Sequence, residues 1–179
     1  MMGIQQIILL IINILGGAAV IGSYVLGLRG QSGGTNILWG SVPADIRPIY
    51  TVSMILSALG YFAFLYYILF RLDPAQIKIF GISGFTMFYV IFLFILVASA
   101  FWMPLTNMYV GNPSTGVWIG IRTVLAIVGL SSIALTLAFL TLQGKVPGLA
   151  YWLAVVGSGY FAFHTTVLDA IVWAALFRH

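Results

Sequence analysis

GLAYWLAVVGSGYFAFHTTVLDAIVWAAL, residues 148–176, is long and apolar enough to cross a bilayer, yet it carries Asp169 near its end. A helix needs about 20 predominantly apolar residues to span the hydrocarbon core. A carboxylate there costs about 2.5–3.5 kcal/mol on insertion scales. Asp169 therefore needs a partner, a proton or a job. The other two acidic residues, Asp45 and Asp73, fall between apolar segments.

Four more segments resemble this one, and together they span about 4–28, 49–71, 77–103, 116–142 and 148–176. The expected fold is an all-α integral membrane bundle, a single domain over 1–179 with five transmembrane helices. Mean hydropathy of +1.14 excludes an ordinary soluble domain. Membrane β-barrel strands would instead show short alternating segments. The start, Met1-Met2-Gly3-Ile4, lacks a basic region, so the first segment reads as a retained helix rather than a signal peptide.

Net charge is +4, from seven Lys/Arg against three Asp/Glu, and the bases are scattered singly. Nucleic acid is not an expected partner. There is no cysteine, which excludes disulfides and thiolate chemistry. With two histidines, one of them terminal, a metal site built from protein groups is not expected. Arg71, Lys78 and Lys145 fall on the side of loops two and four, and Arg29, Arg47 and Arg178 on the other. The basic side chains thus balance, and the terminal amine tilts the orientation toward N-terminus inside.

Arg122 follows Trp118 by four residues in the fourth segment, and Asp169 precedes Trp173 by four in the fifth. The segments run antiparallel, so tryptophans at one interface would leave both charges about 6 Å deeper, one turn in. This predicts an ion pair between Arg122 and Asp169, direct or through water, with Arg122 also over the Trp118 ring. Such a pair either locks two helices or takes part in function. Thr165 and Thr166 share the Asp169 face and are placed to donate to it. His164 falls on a different face, one turn after Tyr160, as a neutral imidazole bonded to a hydroxyl or carbonyl, a proton relay or a ligand contact. Trp39, Trp102, Trp118 and Trp173 cluster toward loops one and three, either as an interfacial belt or turned inward around a cavity. Asn13, Asn107, Ser131 and Ser132 read as interhelical hydrogen-bond donors. Gly16-Gly17-Ala18-Ala19 and Gly22 offer a small face for helix packing. No catalytic triad is visible, so an enzyme is the less favoured reading.

The pattern resembles the translocator protein / tryptophan-rich sensory protein (TspO/MBR) family. Thr165-Thr166-Val167-Leu168-Asp169, then Val172-Trp173, is similar to the family's Ala-Thr-(Thr/Val)-Leu-Asn followed by Val/Ile-Trp. Trp102-Met103-Pro104-Leu105, then Gly111, is similar to its Trp-x-Pro-Leu-Phe-Phe and Gly. Pro48, Tyr50 and Ser57-Ala58-Leu59-Gly60-Tyr61 echo its second helix with a two-residue shift. Asp169 stands where the family has asparagine, and Arg122 where it tends to have an acid. The resemblance implies a membrane binding protein or receptor for a flat hydrophobic ligand, a porphyrin, other tetrapyrrole or sterol, held between the helices under loop one. No cofactor is required. The implied ligand residues are Trp39, Tyr50, Trp102, Asn107, Trp118, Arg122, His164, Thr166 and Asp169, with Arg122 free to meet a ligand carboxylate.

Two other functions compete. One is a small-molecule or proton-coupled transporter using Arg122, Asp169 and His164. The other is a structural subunit of a larger membrane complex. The expected partners are the bilayer, the hydrophobic small molecule and, for assembly, a second copy in a homodimer. The expected location is multi-pass in a bacterial inner membrane or a eukaryotic organelle membrane.

Overall fold

In the computed structural model, residues 2–29 and 34–177 are described. Gly30–Gly33 of loop one and the basic residue Arg178 lie outside them. Five helices are long and apolar enough to cross a membrane. They are α1 (Ile4–Arg29), α2 (Arg47–Phe70), α3 (Phe85–Gly111), α4 (Thr115–Leu140) and α5, which runs from Leu149 to Leu176. A short 3-10 turn, Gly34–Trp39, lies in loop one.

Four of the five segments begin and end within two residues of expectation; the third is displaced toward the C-terminus. Residues 77–84 are apolar enough to read as helix, but they form a hairpin of β1 (Lys78–Ile79) and β2 (Ile82–Ser83). Its two turn residues, Phe80 and Gly81, both have positive φ, 52° and 76°. That is the tight turn whose twist matches paired strands. Backbone bonds between Lys78 and Gln143 tie the hairpin to loop four. At its far end α3 runs on through Pro104 to Gly111, where the sequence suggested a stop. Membrane helices accept proline when neighbouring groups satisfy the freed backbone.

Around the bundle the helices neighbour one another in the order α1, α3, α4, α5, α2, and α1 scarcely touches α2. At the end of loops two and four the core is tightly filled. Phe64, Tyr67, Phe88, Phe92 and Phe139 are fully buried there. Gln6 of α1 donates to the carbonyls of Leu69 and Leu72, 2.8 and 3.0 Å away, and so satisfies the end of α2.

The closest helix contact is between α2 and α5, where Gly60 and Gly157 meet backbone to backbone. A Cβ on Gly60 would lie 2.7 Å from the Gly157 carbonyl oxygen. Of the expected glycine face on α1, Gly16 packs against Leu96, while Gly17 and Gly22 have nothing within 4 Å. The decisive small residues are thus on α2 and α5. Asn13 accepts from Tyr61 of α2, and Asn107 donates to the Gly27 carbonyl of α1, so both bridge helices. Ser132 bonds within its own helix, to Val128.

Gly60→Ala should lower the thermal unfolding midpoint in detergent by several degrees, an overpacking loss of about 1–3 kcal/mol. Gly17→Ala should leave it unchanged or slightly raised. Equal midpoints for Gly60→Ala and the parent would contradict the observed crossing.

Candidate functional site

The last helix changes its hydrogen-bond repeat. It is α-helical over Leu149–Phe163, π-helical over His164–Trp173, and closes with the α-turn Ala174–Leu176. In an α-helix, residues five apart point about 140° away from each other. A π-helix bonds residue to residue five positions on, which brings them onto one side. His164 and Asp169 are five apart, and Nε2 of the imidazole lies 3.6 Å from Oδ2 of the carboxylate. The expectation that His164 occupies a different face is corrected by this wider repeat.

A chain of polar groups continues from the imidazole to α2. Ser53 Oγ is 2.9 Å from His164 Nδ1, and the Tyr160 hydroxyl donates to Ser53 Oγ at 3.0 Å. With Tyr160 donating to Ser53, the serine proton is available to Nδ1, and we assign the bond in that direction. The ring is then neutral, with its own proton on Nε2 facing Asp169. Ser53 and His164 are both buried. The Asp169 side chain is 34% exposed against 8% for His164.

The ion pair between Arg122 and Asp169 is not formed. The Trp118 and Trp173 rings are in contact at 6.5 Å, but Arg122 turns outward. Ile121 and Leu125 form the inward face of α4, and Arg122, one residue round from Ile121, is exposed. Its expected stacking on Trp118 is also absent among the described contacts; Arg47 sits over Trp39 instead, 5.7 Å from the ring centre. The threonines do not serve the carboxylate either. Thr165 Oγ1 donates back to the Phe161 carbonyl at 2.9 Å, and Thr166 Oγ1 is buried against Gly129 of α4 without a hydrogen-bond partner.

The tryptophans turn inward. Trp102 lies 5.3 Å from Trp173 and 5.5 Å from Tyr24 of α1, and Trp39 meets Tyr50 edge-on at 5.7 Å. Trp118 stacks on Phe177, which also stacks on Trp173. Loop one closes over this group: Trp173 Nε1 donates to the Leu38 carbonyl at 3.1 Å, and Gly40, at φ 49°, has the Phe177 ring against it. A side chain at Gly40 would collide with that ring. Tyr50 is buried and donates to the Leu168 carbonyl at 2.9 Å. Trp102 Nε1 is buried with no acceptor.

Of the expected ligand residues, the structure brings Trp39, Tyr50, Trp102, Trp118, His164 and Asp169 into this half of the bundle. Asn107 is used as a clamp on α1, and Arg122 lies outside. Sequence reasoning missed Tyr24, Ser53, Tyr160 and Phe177. Ser53, Ser57 and Gly60 do form a small-residue stripe on α2, a signal for a helix face packed closely on α5. Tyr24 carried no such signal. A separate groove of about 610 Å³ lies between α2 and α5 near Arg71 and Leu149, and contains none of these residues. Among the described residues, no group of three His, Cys, Asp or Glu side chains is placed to hold a metal.

Compared with protein-family models, with curated proteins and with solved structures, the chain finds no match.

The tautomer is directly measurable. In a His179→Gln background, ¹⁵N shifts of the remaining imidazole should show protonation at Nε2 and a hydrogen-bonded Nδ1. Ser53→Ala should destabilise the fold by about 1–3 kcal/mol by leaving Nδ1 unpaired. Protonation at Nδ1 in the parent would contradict the assigned direction of the chain.

Proposed function

We propose that the chain is a multi-pass integral membrane protein, of a bacterial inner membrane or an organelle membrane, that binds a flat hydrophobic ligand inside its helix bundle. The ligand lies under loop one, among Tyr24, Tyr50, Trp102, Trp118 and Trp173, with the polar groups of His164 and Asp169 at one edge. Entry is by the seam between α1 and α2. The observation that carries this reading is the inward convergence of the tryptophans and tyrosines around an unpartnered indole N–H and a part-exposed carboxylate. Apolar sites with a few convergent polar groups are what such ligands require. The resemblance to the TspO/MBR family supports the same reading, and tetrapyrroles and sterols are the ligands it suggests.

A second reading, a proton-coupled carrier, draws on the chain from Tyr160 through Ser53 and His164 to Asp169. Arg122, exposed on α4, has no part in it. In that case Asp169→Asn would abolish pH-dependent flux in liposomes, and unchanged flux would remove the carrier reading.

Binding is tested by tryptophan emission in lipid nanodiscs, titrated with flat polycyclic ligands, a tetrapyrrole and a sterol among them. Quenching should saturate, and Trp102→Phe should weaken binding by about ten-fold, as for an aromatic anchor. Absence of saturable quenching across the series would remove this reading.

A further inference from the structure

Among the described residues, no Lys or Arg lies within ion-pair distance of Asp169. Among the described residues its ion-pair contact is His164, whose ring is neutral in the hydrogen-bonded chain and whose Nε2 stands beyond ordinary hydrogen-bond length, at 3.6 Å. Arg122, the one basic residue well inside a helix at this level, is exposed. Arg47 is engaged by the Val42 carbonyl and by Trp39. A carboxylate inside an apolar bundle is costly unless an opposite charge or a proton answers it.

The aromatic rings of this half of the bundle favour the same sign. Trp102 and Tyr24 are in ring contact, and Trp102 continues to Trp173, one helical turn from Asp169. Aromatic faces attract cations, and desolvation strengthens that attraction. Tyr50 donates its proton to the Leu168 carbonyl, so its O–H does not point to Asp169 and its oxygen lone pairs remain. Neither threonine hydroxyl neutralises the acid by hydrogen bonding. The site proposed below combines the carboxylate with these rings and the phenol oxygen.

We propose that the ligand is a flat hydrophobic cation, an amine or quaternary ammonium on a polycyclic body, whose charge pairs with Asp169 and whose body lies among Tyr24, Tyr50, Trp102 and Trp173. This rests on the binding function proposed above and narrows its ligand class. It displaces anionic porphyrins and neutral sterols as the preferred ligands, because the carboxylate repels the first and gains nothing from the second. His164 positions Asp169 and takes no direct part in binding.

Three probes of one shape separate the outcomes: pyrenylmethyl-trimethylammonium, pyrenemethanol and pyrenecarboxylate. Energy transfer from tryptophan to pyrene is measured in nanodiscs of uncharged lipid, with empty discs as the blank. The ammonium should bind about ten-fold or more tighter than the alcohol, and the carboxylate more weakly than either. Asp169→Asn should erase the preference for the ammonium while the alcohol's affinity stays within about two-fold, and Arg122→Gln should change neither. Equal binding of all three probes to the parent overturns cation selectivity and leaves the binding function standing. A preference that survives Asp169→Asn assigns the charge recognition elsewhere and likewise overturns the proposal. If none of the three shows saturable transfer, both the proposal and the binding function fall.

Discussion

At His164 the backbone of the last helix passes from a four-residue to a five-residue hydrogen-bond repeat, and the polar interior follows from that change. In lipid a helix has to satisfy its own backbone, so an irregular stretch persists only where protein surrounds it. Here α2 and α4 do so. Tyr50 donates to the Leu168 carbonyl, Thr165 bonds back to Phe161, and Gly129 gives Thr166 room against α4. The wider turn rotates Asp169 toward His164. Ser53 and Tyr160 then fix the imidazole from the other side.

The two halves of the bundle are built on different terms. Toward loops two and four, phenylalanine and leucine interlock, and the contact of Gly60 with Gly157 draws α2 onto α5. That half holds the helices in register. Toward loops one and three the same helices carry tryptophans, tyrosines and the His164–Asp169 pair, and α1 parts from α2. Rigidity at one end lets the other keep a carboxylate partly open. The binding function proposed above would draw on that division.

Much of this was legible in the sequence, and the failures have physical causes. The five helices follow from runs of apolar residues, which membrane crossing demands. The third was displaced because Ile77, Ile79, Phe80 and Ile82 read as helix by hydropathy, whereas a phenylalanine at positive φ is not announced by its type. Pro104 read as a stop because soluble helices end there. Matching Trp118 to Trp173 was an argument from depth, and those two rings do meet. Depth is a one-dimensional coordinate, however, and pairing needs azimuth as well. Counting 3.6 residues per turn through 164–173 then sent His164 to the wrong face, because a π-helix leaves no mark on composition. The ring contacts of Trp39, Trp102, Trp118 and Trp173 fit the inward of the two readings the sequence allowed, and a cavity among them belongs to the proposal.

The contact between His164 and Asp169 is the point on which the site stands. A ¹⁵N–¹³C dipolar recoupling measurement between the His164 imidazole and the Asp169 side-chain carboxyl, in membranes, reads it directly. The account predicts strong dephasing, as expected for Nε2 lying 3.6 Å from Oδ2. No measurable dephasing, the result for a continuous α-helix with the two side chains about 140° apart, would contradict it.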